Sequence, residues 1–268
     1  MVRFTKMNGA GNDFVLIDNR SKALELSRRQ IAILCDRHRG VGADGVLLVE
    51  PAEDGGDFRM RYYNSDGGEA EMCGNGARCF SRYVSKIAGP FSEVRFETQA
   101  GMIQADIDGD LVKLEMSKPH GLVLNRSLDV GGVKLSTHFV NTGVPHVVTF
   151  VDDIESVPVQ KWGPEIRHHP AFRPSGTNAN FVKEIEPGKL IIRTYERGVE
   201  AETLACGTGV TAGGLSYAAL SGATSPVRLQ VRGGDWLEVG FRASANEFED
   251  VTLKGPADFA FEGSITIS

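Results

Sequence analysis

The 268-residue sequence predicts an α+β fold of two pseudo-symmetric lobes, each a mostly antiparallel sheet wrapped around a central buried helix. Three observations predict it: short alternating strands punctuated by turn residues, one helix with no charged face, and an internal repeat displaced by about half the chain. The strands come first. Asp57–Asn64, Val94–Gln99, Met102–Ile107, Leu111–Met116, Lys189–Glu196, Val227–Val231 and Trp236–Phe241 alternate apolar and polar residues between Gly, Asp, Asn and Pro clusters, the pattern of half-buried antiparallel strands.

Three helices interrupt them. Ser27-Arg-Arg-Gln30 has the form of a capping box and opens a helix to about His38. A second runs from Asn75 to Ile87 and stops at Gly89-Pro90, and a third runs from Thr208 to about Leu220 and stops at Gly222. The third has almost no charged residue, so it must be buried on all sides, most simply by a sheet curling around it.

The repeat ties these elements together. Glu69-Ala-Glu-Met-Cys73-Gly-Asn-Gly76 resembles Glu202-Thr-Leu-Ala-Cys206-Gly-Thr-Gly209, with a shift of 206 − 73 = 133. The same shift maps Asn8 onto Asn141, Asp13 onto His146 and Gly101 onto Gly234. Upstream of each cysteine stands a similar strand end, Arg61-Tyr-Tyr-Asn64 and Arg193-Thr-Tyr-Glu196, with one residue of slippage. The lobes divide near residues 117–132, giving 1–120 with Cys73 and 121–257 with Cys206.

Lys plus Arg total 29 against 35 Asp plus Glu, a net charge of −6. That balance argues against nucleic acid or an anionic membrane as the partner. Met1–Arg20 holds no apolar run of signal-peptide length, and Val144–Val151 is broken by Pro145, His146 and Thr149. A cytoplasmic protein is the expectation, and its four cysteines are read as thiols.

A pseudo-twofold relation between halves predicts that Cys73 and Cys206 approach one ligand from opposite sides. Stereoinversion demands that geometry, because one group removes a proton from one face while another delivers to the opposite face. Each cysteine precedes a Gly-x-Gly that opens a helix, where unpaired N–H groups and the helix dipole favour a thiolate. The N–H groups of Gly74, Asn75, Gly207 and Thr208 suit a substrate carboxylate. Cys35 and Cys79 are expected to be core thiols, Ala212 replacing Cys79 in the repeat. A dinucleotide site is disfavoured, since neither Gly-x-Gly has the third glycine. No Cys or His pair has metal-ligand spacing, so no metal is expected. A Cys73–Cys206 disulfide is expected only as an inactivation route.

At these residues the sequence resembles the diaminopimelate epimerase family. The matching stretches are Met7–Phe14, Asn64-Ser-Asp-Gly, Cys73-Gly-Asn-Gly-Ala-Arg-Cys-Phe80, Gly143-Val-Pro-His146 and Thr177-Asn-Ala-Asn-Phe181, followed by Tyr195-Glu-Arg-Gly198, Glu202–Gly209 and Gly255-Pro-Ala257. The resemblance implies an isomerase interconverting LL- and meso-2,6-diaminopimelate by a two-base mechanism, in lysine and peptidoglycan precursor synthesis. It implies no pyridoxal phosphate, no metal and no nicotinamide, and a homodimer. It further implies that Cys73 and Cys206 are the base–acid pair, that His146 and Glu196 tune the thiols, and that Asn12, Asn64, Asn178, Glu196 and Arg197 bind substrate. As an imidazolium His146 favours a nearby thiolate, whereas a close Glu196 carboxylate raises a thiol pKa. It suggests crossing termini, so that a final strand in 258–268 returns to the N-terminal lobe. Gly45 and Val144 depart from the pattern, standing where relatives carry Gln and Asn, which keeps open a two-cysteine racemase of another amino acid.

Overall fold

The computed structural model describes residues 1–244 and 247–267. The chain divides into two units, Met1–Leu114 with Gly255–Ser268, and Glu115–Lys254. Each unit is a mixed sheet, and the two sheets repeat one order of pairing. In the first unit, strand 2–9 pairs antiparallel with 12–18, which pairs parallel with 45–51, which pairs antiparallel with 58–64. Strand 58–64 then runs parallel to 93–98, and 93–98, 101–108 and 111–115 follow as antiparallel neighbours. In the second unit the same series is 133–141, 145–150, 178–186 and 189–196, then 227–230, 236–243 and 248–256. The strand that completes the first series, against 2–9, is 258–265 from the end of the chain, whereas 120–130 completes the second, against 133–141.

Both sheets are mostly antiparallel, and each has two parallel junctions that the alternation of residues did not announce. Parallel neighbours need a crossover, usually a helix. These are α1 (Arg28–Cys35) and α2 (Gly74–Ala88) in the first unit, and α3 (Val159–Arg167) and α4 (Gly207–Ser221) in the second. Helix α1 starts on the capping box, with Gln30 N donating to Ser27 Oγ and Ser27 N donating to Gln30 Oε1. It ends at Cys35, three residues before the expected His38, because Asp36 turns extended and its side chain accepts from the N–H groups of His38 and Arg39. Helix α3 was not expected, since its sequence carries Pro164 and Gly163. Gly163 lies flat against the Tyr195 ring, where any side chain would collide.

The crossovers explain the burial. Strand 12–18 is covered on both faces: Val15 and Ile17 join the core under α1, while Phe14 meets Gly76 of α2. A strand covered on both faces reads as a continuous apolar run rather than an alternating one. In the second unit Val147, Ala179 and Phe181 pack with Val159 and Ile166 of α3. Helix α4 is buried from Gly207 through Ala218 apart from Thr208, as its lack of a charged face requires. It seats so close to its sheet that a Cβ on Gly213 would lie 3.0 Å from Leu229, and one on Gly214 3.0 Å from Val239.

The repeated turns follow the same register. Gly101 and Gly234 both have left-handed φ, +112° and +95°. Asn8 Oδ1 accepts from Gly11 N, and Asn141 Oδ1 accepts from Gly143 N, so each side chain closes its own hairpin. Two glycines then make contrasting predictions. A Cβ at Gly9 would lie 2.7 Å from the backbone oxygen of Asn75, which cannot move without the helix. Gly9→Ala is expected to cost about 1–3 kcal/mol in urea unfolding. Gly214→Ala meets only the Val239 side chain and gains about 1 kcal/mol of helix propensity, so its net loss should be smaller. Equal losses would show that helix docking is looser than the backbone contact implies.

Candidate active site

Each unit places one cysteine at the N-cap of its central helix. Cys73 precedes α2 and Cys206 precedes α4, both with extended backbone, and neither side chain caps its own helix. An uncapped helix start leaves first-turn N–H groups directed at whatever anion lies ahead of them. In α2 these belong to Gly74 and Asn75, and in α4 to Gly207 and Thr208.

The Glu-x-x-x-Cys spacing of the repeat has a physical cause. Glu69 accepts a two-pronged contact from Arg61, Nε–Oε1 2.9 Å and Nη2–Oε2 2.9 Å. Glu202 accepts the same fork from Arg193, at 2.6 and 2.8 Å. Planar forks of this kind fix orientation as well as distance. The loop leading into each cysteine is thereby pinned to the neighbouring strand. A second tie holds the helix starts. The Gly9 backbone lies against Asn75 O, and Thr142 Oγ1 donates to Thr208 O at 2.9 Å, positions related by 142 − 9 = 208 − 75 = 133.

Around the N-terminal sulfur the structure brings together Asn12, Asp44 and Asn75. Cys73 Sγ lies 3.6 Å from Asn12 Oδ1, Asn75 Nδ2 lies 3.4 Å from the same oxygen, and Asn12 Nδ2 donates to Asp44 at 2.6 Å. Asn75 Oδ1 accepts from Arg78, a fully buried cation of α2. Asn64 is exposed at its strand end, and its Oδ1 accepts from Tyr62 Oη at 2.7 Å. The Tyr62 ring explains Gly45: a Cβ there would lie 2.7 Å from the ring and 2.6 Å from Tyr63 O. Cys35 and Cys79 are buried, and burial pushes both thiols up to about 12.

The C-terminal sulfur sits in a different setting. Glu196, on strand 189–196, accepts from Thr203 Oγ1 at 3.0 Å and from the Cys206 thiol. Burial raises its carboxyl above the usual range, and those two hydrogen bonds oppose the rise. Cys206 Sγ also lies 3.6 Å from Thr208 Oγ1. His146 is fully buried, and burial first, then the charge of Arg197, lowers it to about 3. It is therefore a neutral imidazole, which corrects the expectation of an imidazolium. Asn180 receives Thr194 Oγ1 on its Oδ1 and directs its Nδ2 at Val147 O and His146 Nδ1. That leaves the proton on Nε2, which has no hydrogen-bond partner among the described residues.

Asn178 is 2% exposed, and its amide is largely engaged within the unit. Nδ2 donates to Pro145 O at 3.0 Å, and Oδ1 accepts from Arg197 N at 2.8 Å. It holds Pro145, the residue before His146, and Arg197 in place through their backbones. The Arg197 guanidinium reaches Ser175 O. Val144 donates no side-chain polarity to this turn, its carbonyl accepting from Thr142 N.

Sequence reasoning missed Asp44, Arg78, Asn180 and Thr203. Asn180 was legible, because period-two alternation puts it on the face of Asn178. Arg78 stands three residues after Asn75 on one helix face, a spacing that also carried a signal. Asp44 and Thr203 come from loop and edge positions that no periodicity marks. No group of three His, Cys, Asp or Glu among the described residues could hold a metal ion, and no described helix is long and apolar enough to cross a membrane.

Comparison with known proteins identifies the family. The sequence model of the family described as diaminopimelate epimerase matches residues 4–121 and 138–257. The chain is 41% identical over 277 residues to the diaminopimelate epimerase of Aquifex aeolicus, covering 99% of this chain and 98% of that one. It is 41% identical over 265 residues to that of Chlorobaculum tepidum, covering 97% and 100%. A crystal structure of a probable proline racemase from Agrobacterium radiobacter K84 superposes with a TM-score of 0.73 at 15% identity, covering 100% of this chain and 94% of that one, a likeness of fold. The repeat, the mixed sheets around two helices and the full-length sequence match converge: this chain belongs to the diaminopimelate epimerase family and is an isomerase.

Proposed function

We propose that this chain interconverts LL- and meso-2,6-diaminopimelate, using Cys73 and Cys206 as the two acid–base groups. The observation that carries the reading is the repeated seating of a sulfur at an uncapped helix start in each unit. Inversion requires one sulfur on each face of the α-carbon. In one direction a thiolate takes the α-proton as the other thiol delivers its own to the opposite face, and the reverse reaction exchanges the roles. Helix N–H groups at Gly74, Asn75, Gly207 and Thr208 reduce the charge density on the substrate carboxylate, which makes the α-proton more acidic. The chemistry is carried by side chains and backbone alone.

A diaminodicarboxylate needs recognition at both ends. Asn12, Asn64 and Asn178 supply amides, Arg197 a fork for a carboxylate, and Glu196 a partner for an ammonium. Glu196 has a second task. Its hydrogen bond from Cys206 and its raised carboxyl place a proton acceptor of adjustable strength beside the sulfur. His146, as a neutral imidazole, contributes an N–H rather than a charge. The same reading sets the enzyme in the cytoplasm as a homodimer, in lysine and peptidoglycan precursor synthesis.

Three outcomes test it. Cys73→Ala and Cys206→Ala should each lower turnover of LL-diaminopimelate by at least about 10³-fold, read by α-proton exchange into D2O from each stereoisomer. Near-normal turnover in either variant would exclude a two-base mechanism, and turnover of a single-carboxylate amino acid with none of diaminopimelate would reassign the substrate. Glu196→Gln should separate function from stability. A carboxyl raised by burial stabilises the fold only while protonated, so its contribution is lost as pH rises through the folded value. Above that value the variant should melt at or above the parent temperature while turning over more slowly. A fall in both would make Glu196 structural. For His146 the sign reverses. Its folded value, about 3, lies below the unfolded 6.5, so stability is complete above pH 6.5 and drains as pH falls toward 3, where the unfolded chain takes the proton. His146→Gln should flatten that acid limb in a series of urea titrations, and an unchanged limb would show that His146 is not buried as a neutral ring.

A further inference from the structure

The N-terminal half-site contains a chain of amides whose polarity is set at both ends by groups that bond in one sense. At one end Asp44 Oδ2 receives Asn12 Nδ2 at 2.6 Å. A carboxylate offers only acceptors, so Asn12 must direct its oxygen the other way. At the other end Arg78 Nη2 donates to Asn75 Oδ1 at 3.0 Å. A guanidinium offers only donors, so Asn75 must direct its nitrogen at Asn12, where Nδ2 meets Oδ1 at 3.4 Å. Both constraints deliver the same result, an amide oxygen 3.6 Å from Cys73 Sγ.

Asp44 is itself held. Its Oδ1 accepts from Arg37 at 2.9 Å, its Oδ2 also accepts from Asp13 N at 3.2 Å, and its own N–H donates to Asp13 Oδ1 at 2.9 Å. Arg78 is fully buried and anchored through Nε to Pro256 O at 3.2 Å. Neither end can reverse without breaking an ionic contact.

We propose that Asp44 is a positioning residue: by holding the Asn12 nitrogen it aims the Asn12 oxygen at Cys73, so that this half-site keeps its sulfur as the thiol, ready to deliver a proton. The inference rests on reading Cys73 as an acid–base group. It adds that the two half-sites differ in kind, since an amide oxygen cannot take the proton of Cys73, whereas the Glu196 carboxylate can take that of Cys206. The charged groups tied to this amide chain are Asp44, with Arg37 and Asp13 that hold it and Lys6 that pairs with Asp13, and Arg78 on α2; the Cys79 thiol of α2 interacts electrostatically with Cys73. Burial, which raises Asp13, is outweighed by Arg37 and Lys6, leaving it at about 2 and those charges matched. Cys79, pushed up to about 12, stays protonated. The positive field of Arg78 favours an anion ahead of Gly74 and Asn75, the place assigned above to a substrate carboxylate. The Asn12 oxygen gives the sulfur the opposite preference.

The test reads Cys73 alone, in a Cys206→Ala background and without substrate, so its outcome is independent of whether diaminopimelate is turned over. Iodoacetamide alkylation of Cys73 is followed against pH by peptide mass spectrometry. Asp44→Asn should release the Asn12 amide and move the profile to lower pH, with the rate at pH 7 rising about threefold to tenfold. Asp44→Ala releases the same amide and serves as the second variant if the first folds poorly. Asn12→Ala should produce a similar shift, and adding Asp44→Asn to it should then do nothing more. An unmoved profile overturns the proposal. So does a shift of equal size with and without Asn12, because a bare Coulomb effect of the carboxylate would persist when the amide is gone.

Discussion

The chemistry depends on one constraint, the seating of the first turn of each central helix against the first hairpin of its own unit. In one unit the strand passes as bare glycine beneath Asn75 O, and in the other Thr142 reaches up to Thr208 O. The Arg61–Glu69 and Arg193–Glu202 forks then fix the loop that feeds each helix. With both sides of the N-cap immobilised, a residue with no capping hydrogen bond can occupy it. A serine or aspartate there would stabilise the helix by about 1 kcal/mol. Cysteine forgoes that and leaves the N–H groups to an anion, for which an uncapped start offers about 0.3–1 kcal/mol, and up to about 2 where partly buried. The stability forgone is made up by the packing of α2 and α4.

That shared frame carries two unlike linings. Gly76 packs on Phe14 and Leu47, whereas its repeat partner Gly209 packs on Asn180 and Thr194. The apolar setting needs no hydrogen bonds, so the first unit places its polar groups at the hairpin side, on Asn12 and Asp44. The polar setting of the second unit forms a closed set in which Thr194, Asn180, His146 and Val147 satisfy one another except at His146 Nε2. A buried N–H without a partner costs about 1–3 kcal/mol, and among the described residues the second unit carries that cost at His146 Nε2.

Much of this was legible in the sequence, and the rest was hidden for identifiable reasons. The central helices were readable from Gly89-Pro90, Gly222 and the uncharged face of α4, and their ends fall within one residue of expectation. The strands 12–18, 45–51 and 145–150 were not, because helices cover both of their faces and erase the alternation that marks a half-exposed strand. Helix α3 was masked by Pro164 and by Gly163, the latter required because Tyr195 fills the space a side chain would take. The cysteines were found from the repeat itself. The ionisation of His146 was not, since a turn sequence carries no information about how deeply a ring will be buried.

The two buried bases show why residue type decides what a unit can do. Arginine keeps its proton in any protein environment, so Arg78, with no exposed surface, remains a fixed cation under the start of α2. Histidine yields under the same burial, and His146 becomes neutral. The first unit therefore retains a permanent positive charge and orders its amides around it. The second sets two groups that adjust, a carboxyl raised by burial and an imidazole lowered by it, beside the fixed charge of Arg197, which lowers His146 further. On the two-base reading each direction starts with one thiolate and one thiol and ends with them exchanged, so each sulfur must be able to hold and to shed its proton. Identical linings would hold both sulfurs in the same state. Unlike linings on a repeated frame separate those states while leaving the geometry of the two thiols equivalent within each unit.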